Sequence, residues 1–121
     1  MNRLARHELA ERIFASRHVR PPARWVRAST TSPFDLVVLR PEGDQLRATF
    51  VEIKTARCRL SSDLSEAEAE FGRFAEIHGC PYVIARYRVV GNAATAEQLY
   101  RPFFVGGSRP AEVELEFEVS K

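Results

Sequence analysis

Two β-branched, apolar runs separated by turn residues occupy the middle of the chain and restrict what it can become. Phe34-Asp35-Leu36-Val37-Val38-Leu39-Arg40 and the run 46–55 (Leu46 to Thr55) flank Pro41-Glu42-Gly43-Asp44-Gln45. Such runs on either side of Gly-Asp turn chemistry fold back on each other as an antiparallel hairpin. With the turn centred between Gly43 and Asp44, Arg40 faces Arg47 and Asp35 faces Glu52.

Three charged residues interrupt this hairpin: Asp35, Glu52 and Lys54. Residues two apart in a strand share a face, so Glu52 and Lys54 point one way while Val51 and Ile53 point the other. Two acidic side chains directly opposite each other repel, and shared burial raises one carboxyl pKa strongly unless a cation sits between them. A divalent ion satisfies this condition, because Mg²⁺ takes a few carboxylates together with waters and phosphate oxygens. It would polarise a phosphodiester and activate a water, and Lys54 on the same face would hold that water or stabilise charge growing on the phosphate. The chain has sixteen arginines and two lysines, and Lys121 is terminal, so Lys54 is the only internal lysine. A compact ammonium whose pKa burial can shift is wanted there, and a guanidinium does not supply it. A lone Glu-x-Lys is common on exposed strand faces. The facing aspartate, the hairpin and the apolar flanks favour the catalytic reading.

The rest of the chain supplies an α/β frame. Residues 3–17 show helical spacing through Leu9, Ala10, Ile13 and Phe14, and Pro21-Pro22 stops the helix. Residues 23–29 read as a short strand around Trp25-Val26, followed by the polar loop Thr30-Thr31-Ser32-Pro33. After a polar connector at 56–63, Ser65 caps a second helix, with Glu68 completing a capping-box pattern. Its apolar face is expected to be Leu64, Ala67, Phe71, Phe74 and Ile77, and Gly79 ends it. Residues 82–90 form another strand, and 95–100 read as one or two helical turns. Val113, Leu115, Phe117 and Val119 alternate with glutamates, as in a strand with one wet face. The expected order is α-β-β-β-α-β with a tail, in a single domain spanning 1–121 whose core lies at about 4–90 and whose C-terminal extension covers 91–121.

Charge and composition narrow the functional classes. An apolar fraction of 45% and a charged fraction of 28% are those of a globular domain. No apolar run is long enough to span a bilayer and no secretory signal is visible, so a cytoplasmic protein without membrane partners is expected. Cys58 and Cys80 lack metal-ligand spacing and read as reduced structural thiols. The net charge is only +2, but residues 1–30 hold seven arginines against Glu8 and Glu11. That distribution fits contact with a polyanion, and equally a solvated surface.

The stretch Ser32-Pro33-Phe34-Asp35, followed by Phe50-Val51-Glu52-Ile53-Lys54-Thr55, resembles the PD-(D/E)xK motif of the restriction-endonuclease-like nuclease superfamily. Phe34 between the proline and the aspartate departs from the strict motif. The core order of that superfamily, α-β-β-β-α-β, is similar to the one above, and the resemblance covers about residues 4–90. It implies a mixed sheet flanked by helices, with Asp35 and Glu52 as metal ligands and Lys54 as the catalytic lysine. Ala10-Glu11-Arg12 is similar to the first-helix run of archaeal Holliday-junction resolvases, which implies either Glu11 as a further ligand, with Glu8 as the fallback, or an exposed glutamate beside Arg12. Leu64-Ser65-Glu66-Ala67-Glu68, then Gly79-Cys80-Pro81-Tyr82-Val83-Ile84, resembles virus-type replication-repair nuclease domains. Glu68 is then either a residue near the site or simply the capping-box partner of Ser65, and the second is favoured.

The expected activity is Mg²⁺- or Mn²⁺-dependent hydrolysis of phosphodiester bonds in DNA, with a homodimer as the working form. The alternative is a catalytically silent version of the same fold that binds nucleic acid or supports assembly. His7, His18 and His78 are scattered and read as ordinary histidines. Ser29, Thr30, Thr31 and Ser32 either contact phosphate or form a plain loop, and Trp25 and Phe50 read as core.

Overall fold

The computed structural model describes residues 2–55 and 64–104, the Arg3 side chain aside. The connector at 56–63 and the alternating segment at 113–119 lie outside the described residues. The elements run α1 (Arg3–His18), β1 (Arg24–Arg27), β2 (Leu36–Glu42), β3 (Gln45–Thr55), α2 (Glu66–Ile77), β4 (Tyr82–Val90) and β5 (Ala93–Tyr100). None of the described helices is long and apolar enough to cross a membrane.

Local chemistry accounts for most of these boundaries. The Asn2 side chain accepts from the Ala5 N–H at 2.8 Å and starts α1. Arg17 and His18 lie in its last turn, where cations complement the free carbonyls. Ser65 and Glu68 close the expected capping box on α2, with Ser65 N–H to Glu68 Oε1 at 2.8 Å and Glu68 N–H to Ser65 Oγ at 3.1 Å. Gly79, at φ 82°, ends the helix as Cys80 N–H reaches back to the Ala75 carbonyl at 2.8 Å.

The five strands form one mixed sheet in the order β1-β2-β3-β4-β5. The hairpin has the register read from its turn. Arg40 pairs with Arg47 and Leu36 with Val51, and Gly43 turns the chain at φ 63°. Strands β3 and β4 are parallel, joined through α2, while β1/β2, β2/β3 and β4/β5 are antiparallel. Ala10 and Phe14 of α1 pack with Leu36, Val38, Val51, Ile53, Val83, Ala85 and Tyr87 on one face of the sheet. Phe71 and Ala75 of α2 pack with Phe34, Phe50, Tyr82, Ile84 and Tyr100 on the other. The period-2 alternation along β3 and β4 sorts these two sets.

The structure corrects two expectations. Residues 95–100 are not helical but belong to β5, because pairing along the free edge of β4 outweighs the helical preference of Ala, Glu, Gln and Leu. The buried face of α2 is also narrower than its apolar pattern. Gly72 and Ala75 are buried, whereas Phe74 and Ile77 are 57% and 75% exposed. The rings beneath the helix explain this: a Cβ on Gly72 would lie 2.6 Å from Phe103 Cε2 and 2.8 Å from Tyr82 Cδ2, so only small residues fit there.

Candidate active site

The open end of the hairpin brings the charged residues together. Asp35 N–H donates to the Val51 carbonyl at 2.9 Å, beside the Leu36–Val51 pair that ends the β2–β3 register, and the Asp35 carboxyl is hydrogen-bonded with Glu52. Val51 and Ile53 are buried against α1. Glu52 and Lys54 therefore emerge on the α2 face, where Lys54 Nζ lies 3.1 Å from Glu52 Oε2 and 3.5 Å from Glu68 Oε1.

Asp35 precedes β2, so its carboxylate can reach round the end of the sheet. Its Oδ2 accepts the Ile53 N–H at 2.7 Å, and its Oδ1 lies 3.1 Å from His7 Nε2 on α1. The same imidazole nitrogen is 3.3 Å from Glu11 Oε2, and Glu11 Oε1 accepts Arg27 Nε at 2.6 Å. Helix α1, strand β1, the hairpin and the start of α2 thus converge on one cluster.

Its electrostatics are those of carboxylates short of positive charge. Burial, then the charge of Asp35, then a hydrogen bond with Glu68 push the Glu52 carboxyl up to about 9, against the pull of Lys54. For Asp35, burial acts upward, but hydrogen bonds from His7, the Ile53 amide and the protonated Glu52 outweigh it and hold the group below its ordinary value. Glu68 behaves alike: burial is overcome by hydrogen bonds from Glu52 and the Ser65 amide and by Lys54. His7 is raised to about 10 by hydrogen bonds to Asp35 and Glu11. Without metal, the cluster balances its charge with Lys54, a protonated His7 and a proton on Glu52.

This donor set fits a divalent cation. Among the described residues, ligand atoms of His7, Glu11 and Asp35 all lie within 4.8 Å of one another, and Glu52 is tied to Asp35 by charge and hydrogen bonding. Glu52 keeps its proton first through burial and then through the charge of Asp35, and an added cation would favour its ionised form against both. Glu11 is buried beside them, with Oε1 on Arg27 and Oε2 toward His7.

Asp35, Glu52, Lys54 and Glu11 therefore share one locale. Glu8 instead lies 4.0 Å from Arg12. The two readings of Glu68 are compatible, since its Oε1 both closes the capping box and faces Lys54. Sequence reasoning missed His7 and Arg27. The signal for His7 is its i, i+4 spacing to Glu11, whereas Arg27 carries none beyond the general basic balance. His18 pairs with Glu97 at 2.9 Å, and His78 packs on Phe74 with centroids 4.6 Å apart. Ser29 bonds Thr31 and Ser32 through hydroxyls at 3.1 Å, and Thr31 and Ser32 line a cleft of about 590 Å³ with Glu68, Phe71 and Phe74.

No protein-family model matches the chain, and no curated protein matches it. Among solved structures it is similar to Archaeoglobus fulgidus Hjc, a Holliday junction resolvase from an archaeal hyperthermophile, known at 1.6 Å resolution. The TM-score is 0.54 at 19% identity, over 80% of this chain and 73% of that one. The chain has the restriction-endonuclease-like α/β fold, with a five-stranded mixed sheet flanked by helices.

Proposed function

We propose that this chain is a Mg²⁺- or Mn²⁺-dependent nuclease that hydrolyses phosphodiester bonds in DNA. The observation that carries the reading is the meeting of Asp35, Glu52 and Lys54 at the open end of one hairpin, with Lys54 Nζ 3.1 Å from Glu52. The likeness of the fold to a Holliday junction resolvase supports it. Asp35, Glu52 and Glu11 would hold the ion, which supplies Lewis acidity to the scissile phosphate when bound. Lys54, steadied by Glu52 and Glu68, orients the attacking water and meets the negative charge that develops on the phosphate. The Ile53 amide and Arg27 keep the Asp35 and Glu11 carboxylates in place, so little rearrangement is needed when substrate arrives. The exposed Arg24 on edge strand β1 would contact the DNA backbone.

The test is cleavage of a panel of single-stranded, duplex, flap and four-way-junction DNAs with Mg²⁺, Mn²⁺ or EDTA. Metal-dependent cleavage lost in Asp35→Asn is expected. Failure of the wild type to cut any DNA or RNA with either metal would refute the reading. A homodimer would allow both strands to be cut, and sedimentation giving only monomer at high concentration would exclude it.

A further inference from the structure

The chemistry proposed above gives His7 no part, yet its ring sits inside the cluster. One atom, Nε2, faces two carboxylates, at 3.1 Å from Asp35 Oδ1 and 3.3 Å from Glu11 Oε2. These are not the oxygens anchored elsewhere: Asp35 Oδ2 is taken by the Ile53 amide and Glu11 Oε1 by Arg27. The protein thus holds each carboxylate from behind and turns its other oxygen toward the imidazole, the pattern by which outer hydrogen bonds orient metal ligands. His7 and Glu11 are also i, i+4 on α1, the spacing that sets two ligands of one ion on a single helix face.

We infer that His7 binds the divalent ion through Nε2, beside Asp35 Oδ1 and Glu11 Oε2, and that this nitrogen moves the site's preference from Mg²⁺ toward Mn²⁺, Co²⁺ and Zn²⁺. The inference rests on the reading of the cluster as a metal site. Mg²⁺ is a hard ion that takes oxygen ligands and gains little from an imidazole, whereas the first-row transition ions bind it well. A histidine that merely neutralised two carboxylates would oppose every divalent ion alike. A liganding histidine, whose Nε2 releases its proton to solvent as the ion binds, discriminates among them.

The experiment measures binding of Mg²⁺, Mn²⁺ and Zn²⁺ by calorimetry to the full chain, as wild type, His7→Ala and Asp35→Asn. Co²⁺ absorption and imidazole ¹⁵N NMR of the wild type are recorded alongside. Losing an outer-shell partner already weakens metal binding by about 10- to 100-fold. His7→Ala should therefore lower Zn²⁺ and Mn²⁺ affinity by at least about tenfold, leave Mg²⁺ affinity equal or improved, and alter the Co²⁺ spectrum. In wild type the His7 Nε2 resonance should shift on adding Zn²⁺. An unchanged Zn²⁺-to-Mg²⁺ ratio in His7→Ala, or a His7 resonance indifferent to Zn²⁺, overturns the role of His7. If Asp35→Asn still abolishes binding, the metal site itself survives that result. A wild type that binds none of the three ions overturns both. The NMR arm decides the matter even if His7→Ala does not fold.

Discussion

Glu52→Gln is a perturbation whose effect reverses between metal-free and metal-loaded protein. In the metal-free chain the Glu52 carboxyl keeps its proton up to about pH 9, chiefly through burial and then the charge of Asp35, whereas its ordinary value is 4.5. Between those values the unfolded chain has lost a proton that the folded chain retains. Stability from this group is therefore fully present below pH 4.5 and declines as pH rises toward 9. At pH 7 roughly two and a half pH units have been crossed, at about 1.4 kcal/mol each, so keeping Glu52 costs roughly 3 kcal/mol. Glutamine has the shape of the protonated acid, retains a donor for Asp35 and Glu68, and has no proton to lose. Glu52→Gln should accordingly stabilise the metal-free protein by roughly 3 kcal/mol at pH 7, with the gain vanishing near pH 4.5 and growing toward pH 9. In millimolar Mn²⁺ the order should narrow or invert, because the wild type gains from binding the ion and the variant gains far less. Urea denaturation of both proteins over this pH range, in EDTA and then in Mn²⁺, measures the difference directly. Parallel stability–pH curves in EDTA would refute the argument, since the other titrating groups are common to both proteins.

Lys54→Ala should abolish cleavage while leaving folding and DNA affinity nearly intact, and Lys54→Arg should fail too, because a planar fork cannot replace a compact ammonium held between Glu52 and Glu68. Single-turnover cleavage beside a binding assay checks both. Gly72→Ala gains about 1 kcal/mol of helix propensity but forces a methyl against Phe103 and Tyr82, an overpacking cost of about 1–3 kcal/mol. A net loss of about 1 kcal/mol in denaturant is expected, and a stabilised variant would contradict the packing described. Burial acts upward on Glu97, but hydrogen bonds from His18 and Tyr87, with Arg17, hold it below 4.5, so its contribution is present above that value and lost as pH falls. Glu97→Gln should flatten the acid side of the stability profile, and an unchanged acid titration would argue against the pairing. Arg24→Ala should weaken DNA binding modestly and reduce its salt dependence, read from affinities at several salt concentrations.

What the sequence determined by itself was whatever short-range geometry controls. A two-residue turn at Gly43-Asp44 sets the register of its own strands, so the pairing of Arg40 with Arg47 and the shared side of Glu52 and Lys54 were legible before any fold was known. Both helix starts and the end of α2 were equally local, written in Asn2, Ser65, Glu68 and Gly79. Tertiary structure decided the rest. Ala93–Tyr100 carries residues that suit a helix, and only the open edge of β4 makes it a strand. Phe74 and Ile77 are as apolar as Phe71, yet they stay exposed, while the bulk of Tyr82 and Phe103 beneath α2 selects Gly72 for burial. His7 and Arg27 joined the carboxylate cluster only when α1 and β1 docked against the hairpin end, bringing an imidazole and a guanidinium to carboxylates distant in the chain. Periodicity and turn chemistry act over a few residues, whereas these contacts depend on how separate elements pack, and packing is a property of surfaces that no local pattern encodes.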